Sequence, residues 1–150
     1  MHHTLSPLLS AMYDLGFALF HVTFWRWFNW PISLEKSGRL NRGITQTLNV
    51  MLSYVFIVYA VSLFLTETRT RGPLALAGTG FWLLRAIAQP VLFAGTRLSW
   101  VFVAVFALGA GLHAVTSVDS TKVSVETWSS ASRFRESGVG ARPIAGFPWF

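Results

Sequence analysis

The 150-residue chain contains no cysteine and only six acidic residues. Without thiols there is no disulfide, no thiolate metal site, no cysteine nucleophile and no covalent c-type haem attachment. Charge is scarce as well: 12% of residues are Asp, Glu, Lys or Arg, where a soluble domain carries roughly a quarter. No GxGxxG, Walker-type loop, HExxH or similar signature occurs, so phosphate-cradling loops and zinc-protease chemistry have no carrier here.

What fills the sequence instead is apolar: 53% hydrophobic residues, with seven Trp and thirteen Phe. Four long apolar stretches, residues 8–28, 43–65, 74–94 and 98–115, each approach the ~20 residues that a helix needs to cross a hydrocarbon core. Four such stretches joined by short charged loops leave no polar face for water. The expected fold is all-α, a four-helix transmembrane bundle over residues 1–116, followed by a polar extramembrane tail, 117–150. The first stretch has no Lys or Arg before it and carries Asp14 and His21, so it reads as a retained span rather than a cleaved leader.

The formal charge of +6 has its explanation in membrane topology, and nucleic acid is not invoked. Lys36, Arg39 and Arg42 lie in the first connection and Arg97 in the third, whereas the N-terminal segment has no Lys or Arg. By the positive-inside tendency these loops face the cytoplasm of a bacterial-type inner membrane and both termini lie outside, on the periplasmic side. Phe24, Trp25, Trp27, Phe28 and Trp30 form an interfacial aromatic belt. Arg69, Gly72 and Pro73 mark the second turn. In the tail, residues 121–128 alternate Val with polar residues and predict a short strand or hairpin arm. The aromatic end, with Phe147, Trp149 and Phe150, suits a partner or membrane surface.

Polar groups inside the spans are costly, roughly 2.5–3.5 kcal/mol for a charge at mid-helix, and so carry the functional information. At 3.6 residues per turn, Ser10, Asp14, His21 and Trp25 share one face of the first helix. Thr45, Gln46, Asn49 and Ser53 share a face of the second, and Gly78, Trp82, Arg85 and Gln89 a face of the third. Counted from the first- and third-loop end at 1.5 Å per residue, His21, Asn49 and Gln89 lie about 8–10 Å deep and Arg85 about 14 Å. Asp14 and His113 lie deeper, at about 21 Å. Asp14 is the single acid within the four stretches, hence the expected counter-ion of Arg85. His113 falls roughly 140° from a small-residue stripe on the fourth helix, Ala104, Ala107, Gly111 and Ala114, and is expected at the outer interface.

These residues support a binding protein rather than a self-contained enzyme. One reading is a polar seam that fixes helix register. The other is a pocket in which His21, Asn49, Arg85, Gln89 and Asp14 meet the head of a membrane lipid or quinone-like amphiphile while Trp25 and Trp82 wall its tail. As a partner protein it would be an accessory subunit of a larger membrane complex, or a homo-oligomer joined through Ala104, Ala107, Gly111 and Ala114. Two further classes fit less well. A proton-coupled transporter needs an oligomer, because four helices enclose little lumen. A b-type haem needs two histidines at one depth, and His21 and His113 differ by about 11 Å. A metal centre lacks a matched ligand set.

Overall fold

The computed structural model describes residues 5–30, 32–93 and 95–136. Four helices account for nearly all of them: α1, Leu5–Trp27; α2, Arg39–Leu65; α3, Thr68–Leu92; and α4, Arg97–Glu136. All four are long and apolar enough to cross a membrane. No strand occurs among the described residues.

The buried faces coincide with the faces that helical phase predicts. Ser10, Asp14 and Phe17 turn inward from α1; Asn49, Ser53, Phe56 and Ala60 from α2; Gly78, Trp82, Ala86 and Gln89 from α3. Outward-facing positions are large and apolar, among them Leu8, Leu15 and Leu19, Leu48, Val55 and Ile57, Leu83 and Ile87, and Val101 and Leu108. Polar groups inside and Leu, Ile and Val outside invert the soluble pattern and suit a hydrocarbon surround, where no outward surface needs water.

The helices pair as two hairpins. α1 packs along α2, α3 along α4, and the hairpins join chiefly through α1 and α4, while α2 and α3 approach each other only sparsely. Each turn satisfies backbone groups that a helix end leaves open. Between α1 and α2, a 3-10 turn at Glu35–Ser37 leads to Gly38, whose φ of 82° is a conformation that glycine adopts without steric cost. Between α2 and α3, Arg71 reaches back so that its Nε donates to Leu63 O (3.0 Å) and Nη2 donates to Thr66 O. The start of α4 is capped where Ser99 N–H donates to Thr96 Oγ1 at 3.2 Å.

Three expectations are corrected. First, α3 starts at Thr68, so Arg69, Gly72 and Pro73 lie within the helix and the turn is the two residues Thr66 and Glu67. Proline near a helix start removes one hydrogen bond from the least shielded turn, and Arg71 braces the reversal expected of Gly72 and Pro73. Secondly, α4 does not end at residue 115 but runs for 40 residues, and positions 121–128 are helical. Serine and threonine there satisfy their hydroxyls on the helix itself, Thr121 on Ser117 O, Thr127 on Val123 O and Ser130 on Glu126 O. Thirdly, His113 is fully buried rather than at an outer interface. The opposite side of α4, at Ala104, Ala107 and Gly111, faces outward. The aromatic end, 141–150, lies outside the described residues.

Candidate functional site

Two polar constellations occupy the interior, one sealed and one opening into a cavity. The sealed one joins three helices. Asp14 of α1 and His113 of α4 are both 0% exposed, with His113 Nε2 3.0 Å from Asp14 Oδ2. Trp82 Nε1 of α3 donates to Asp14 Oδ1 at 3.1 Å. His113 Nδ1 lies 2.8 Å from Gly109 O. A carbonyl only accepts, so Nδ1 carries the proton of that bond, and a single proton is shared between Nε2 and Oδ2. The pair is net neutral wherever that proton resides, which is how two ionisable groups can lie at this depth. Beside it, Ser10 Oγ and Thr116 Oγ1 are 2.9 Å apart.

This geometry overturns the expected pairing of Asp14 with Arg85. Asp14 is taken up by His113 and Trp82, and His113–Asp14 is the one ion pair among the described residues. The expected pairing fails because a histidine assumed to lie at the outer interface is in fact the inward partner. Gly78 makes the observed arrangement possible: a Cβ there would collide with Tyr59 Oη and the His113 ring.

The second constellation lines a cavity of about 480 Å3 at the end of the bundle where α1 and α3 finish and α4 begins. Its walls are aromatic: Phe17, Phe20, Phe24 and Phe28 from the α1 end, Phe56 from α2, Phe81 and Trp82 from α3, Phe102 and Phe106 from α4. The Trp82 ring stacks on Phe56 at 5.3 Å and on Phe106 at 5.8 Å between centroids. Polar atoms enter at few points, from His21, Arg85, Gln89, Thr96 and Ser99.

Arg85 is the single charged side chain in this lining. Its guanidinium carbon lies 4.6 Å from the Phe106 ring centroid and 5.3 Å from that of Phe93, with no ion pair among the described residues. Ring faces attract a cation but do not neutralise it. Gln89, one turn on, donates from Nε2 to Ser99 Oγ at a loose 3.4 Å, and its Oε1 has no partner among the described residues.

Of the sequence-derived candidates, the structure brings His21, Trp82, Arg85 and Gln89 together around the cavity. Asn49 stands behind it: its Nδ2 donates to His21 O and its Oδ1 lies 2.8 Å from His21 Nδ1, so it fixes His21. Asp14 belongs to the sealed cluster, and Trp25 packs edge-on against Trp30, outside the lining. Sequence reasoning missed Ser99, Phe102 and Phe106, which share a face of α4 that the apolar composition of the helix does not mark. It also missed Tyr13, whose hydroxyl donates to Val105 O at 2.7 Å. Both nitrogens of His113 are engaged, so the observed network offers it no lone pair for iron. No group of three or more metal-ligating side chains forms among the described residues.

Comparison with known proteins gives no relative to argue from: no family model, curated protein or solved structure matches the chain. The functional reading rests on the geometry of the two constellations.

Proposed function

We propose that the protein acts by binding, holding a membrane amphiphile with an oxygen-bearing head, lipid-like or quinone-like, in the aromatic cavity. Four helices long and apolar enough to span a membrane are compatible with a multi-pass membrane protein. In this reading it resides in a bacterial cytoplasmic membrane with both termini outside.

The observation that carries the reading is Arg85. An arginine whose guanidinium faces an apolar cavity without a carboxylate is expensive, and such groups mark functional sites. Since Asp14 is committed to His113, the counter-charge or acceptor has to come from outside the described side chains. The cavity has the character of a ligand site: volume within the 300–1,000 Å3 range, mostly apolar walls and a few convergent polar groups. His21, held in place by Asn49, adds a second hydrogen-bonding group.

Native mass spectrometry of protein purified in mild detergent tests this. The wild type should carry an adduct of lipid or quinone mass that Arg85→Ala loses while retaining its unfolding midpoint. An adduct-free wild type, or equal retention in the variant, would sink the proposal.

A second reading, as a subunit of a complex or a homo-oligomer, draws on the outward stripe of Ala104, Ala107 and Gly111, with nothing within 4 Å of a Cβ placed on Gly111. Small residues on a lipid-facing helix allow close approach by another helix. Gly111→Leu should then shift the mass of the native assembly, and an unchanged mass would count against it.

A further inference from the structure

We infer that the occupant of the cavity is an anionic phospholipid whose head group bears a hydroxyl, of the phosphatidylglycerol type, with the phosphate at Arg85 and the hydroxyl at Gln89. This rests on the amphiphile reading above and narrows it to one chemistry.

Charge selects the phosphate. A neutral carbonyl would accept a hydrogen bond from Arg85 but leave its charge uncompensated, whereas a phosphodiester does both and suits the guanidinium fork. The end of the bundle that holds the cavity is also basic. Arg26 at the end of α1, Lys36 in the first turn, Arg39 and Arg42 at the start of α2, and Arg97 at the start of α4 all belong to this end of the bundle, against the lone acid Glu35. Basic charge there draws anionic lipid to the site.

Gln89 selects the hydroxyl. It is 5% exposed, lines the cavity, and leaves Oε1 without a partner, while its Nε2 holds Ser99 only at 3.4 Å. A buried amide needs both a donor and an acceptor. Oε1 is closed to a water-sized molecule in the observed orientation, so the amide meets the ligand by turning away from Ser99, which the loose 3.4 Å contact permits. One hydroxyl then provides both donor and acceptor. A choline or methyl ester offers no donor. An ammonium head would donate, but it places a second cation near Arg85, which works against binding.

Order along α3 matches order along the lipid. From the helix end inward come Gln89, Arg85 and then Trp82, the last stacked between Phe56 and Phe106. The lipid presents, in the same sense, terminal hydroxyl, phosphate and acyl chain. One helical turn, about 6 Å, separates the first two positions on α3, a span that a three-carbon glycerol linker covers.

The test is competition between three lipids of identical acyl chains, read by native mass spectrometry: phosphatidylglycerol, phosphatidylmethanol (the same charge without hydroxyls) and phosphatidylcholine. The wild type should prefer phosphatidylglycerol over phosphatidylmethanol by about tenfold, the worth of one well-made buried hydrogen bond. Gln89→Leu should abolish that preference and keep the preference of both anionic lipids over phosphatidylcholine. Ser99→Ala, a milder change, removes the contact that the hydroxyl has to displace and should widen the preference. It serves as the informative variant if Gln89→Leu fails to fold, and a preference left unchanged there would count against the hydroxyl at Gln89. Arg85→Gln should reduce both anionic lipids. If the wild type takes phosphatidylglycerol and phosphatidylmethanol equally, yet loses both in Arg85→Gln, the hydroxyl inference is overturned and the amphiphile reading stands. A bound neutral quinone that phosphatidylglycerol does not displace overturns the hydroxyl inference in the same way. If no adduct of any kind depends on Arg85, both fall.

Discussion

The indole N–H of Trp82 donates to Asp14 Oδ1 at 3.1 Å, while the face of the same ring stacks on Phe56 and Phe106 in the cavity wall. One side chain thus belongs to both constellations. Asp14 and His113 tie α1 to α4, and Trp82 adds α3, so the sealed cluster fixes the aromatic wall against which a ligand would lie.

The stability of that cluster depends on partnering rather than on formal charge. In Asp14→Asn the amide oxygen can still accept from Trp82 and the amide nitrogen can donate to His113 Nε2, with Nδ1–H remaining on Gly109 O. Its loss should therefore stay within about 1 kcal/mol, the scale of a rearranged hydrogen bond. His113→Leu leaves Asp14 buried with Trp82 alone and should cost about 3–5 kcal/mol. Unfolding midpoints in detergent would show the contrast. Equal damage from both variants would mean that an ionised pair is needed.

Asn49 and Arg85 separate stability from binding. Asn49→Ala breaks the reciprocal bonds with His21 and should destabilise by about 0.6–2 kcal/mol, the range for interhelical hydrogen bonds in membranes. Its bound amphiphile should be weakened less than in Arg85→Ala, because Asn49 does not line the cavity and acts on it only through His21. Arg85→Ala should do the reverse, changing stability by no more than about 1 kcal/mol, the worth of a partly exposed cation–aromatic contact. Paired measurements of unfolding midpoint and native mass check both. Loss of adduct in Asn49→Ala at unchanged stability would contradict this division.

The helix faces are legible in the sequence because a polar group in an apolar span has one favourable direction, and Asn49, Ser53, Gly78, Trp82 and Gln89 all follow it. Pairing within the interior is less legible. Charge alone pairs Arg85 with Asp14, although depth puts His113 level with Asp14. Phase, referred to a small-residue stripe taken to face inward, sends His113 to the outer interface, and what sequence does not reveal is that α4 turns that stripe outward. Composition also misleads in residues 121–128, where alternating Val and polar residues suit a strand, yet α4 continues through them with Ser and Thr hydroxyls bonded to its own carbonyls. Alternation over eight residues is a weak signal beside a helix already propagating from Arg97.

Glycine substitutions distinguish close approach from open space. A Cβ on Gly78 would strike Tyr59 and His113, and one on Gly109 would approach the Tyr13 ring to 2.5 Å. Gly78→Ala and Gly109→Ala should each destabilise by about 1–3 kcal/mol through overpacking. Gly111→Ala meets nothing within 4 Å and should remain within about 0.5 kcal/mol of wild type. A ranking of midpoints with Gly111→Ala lowest would refute the packing described for α4.

The length of α4 can be measured directly. Forty residues at 1.5 Å each extend about 60 Å, twice the ~30 Å hydrocarbon core, so the helix must continue into water. Val118 and Arg133 are both exposed and both helical. Spin labels replacing them should give one narrow distance near 22 Å, fifteen residues of helical rise. A strand over the same residues would give about 50 Å. Thr127→Pro, which removes an interior helical bond, should broaden the distribution toward longer distances. A broad distribution in the otherwise unaltered protein would show that the extension is not a continuous helix, and the polar segment after residue 117 would revert to a tail.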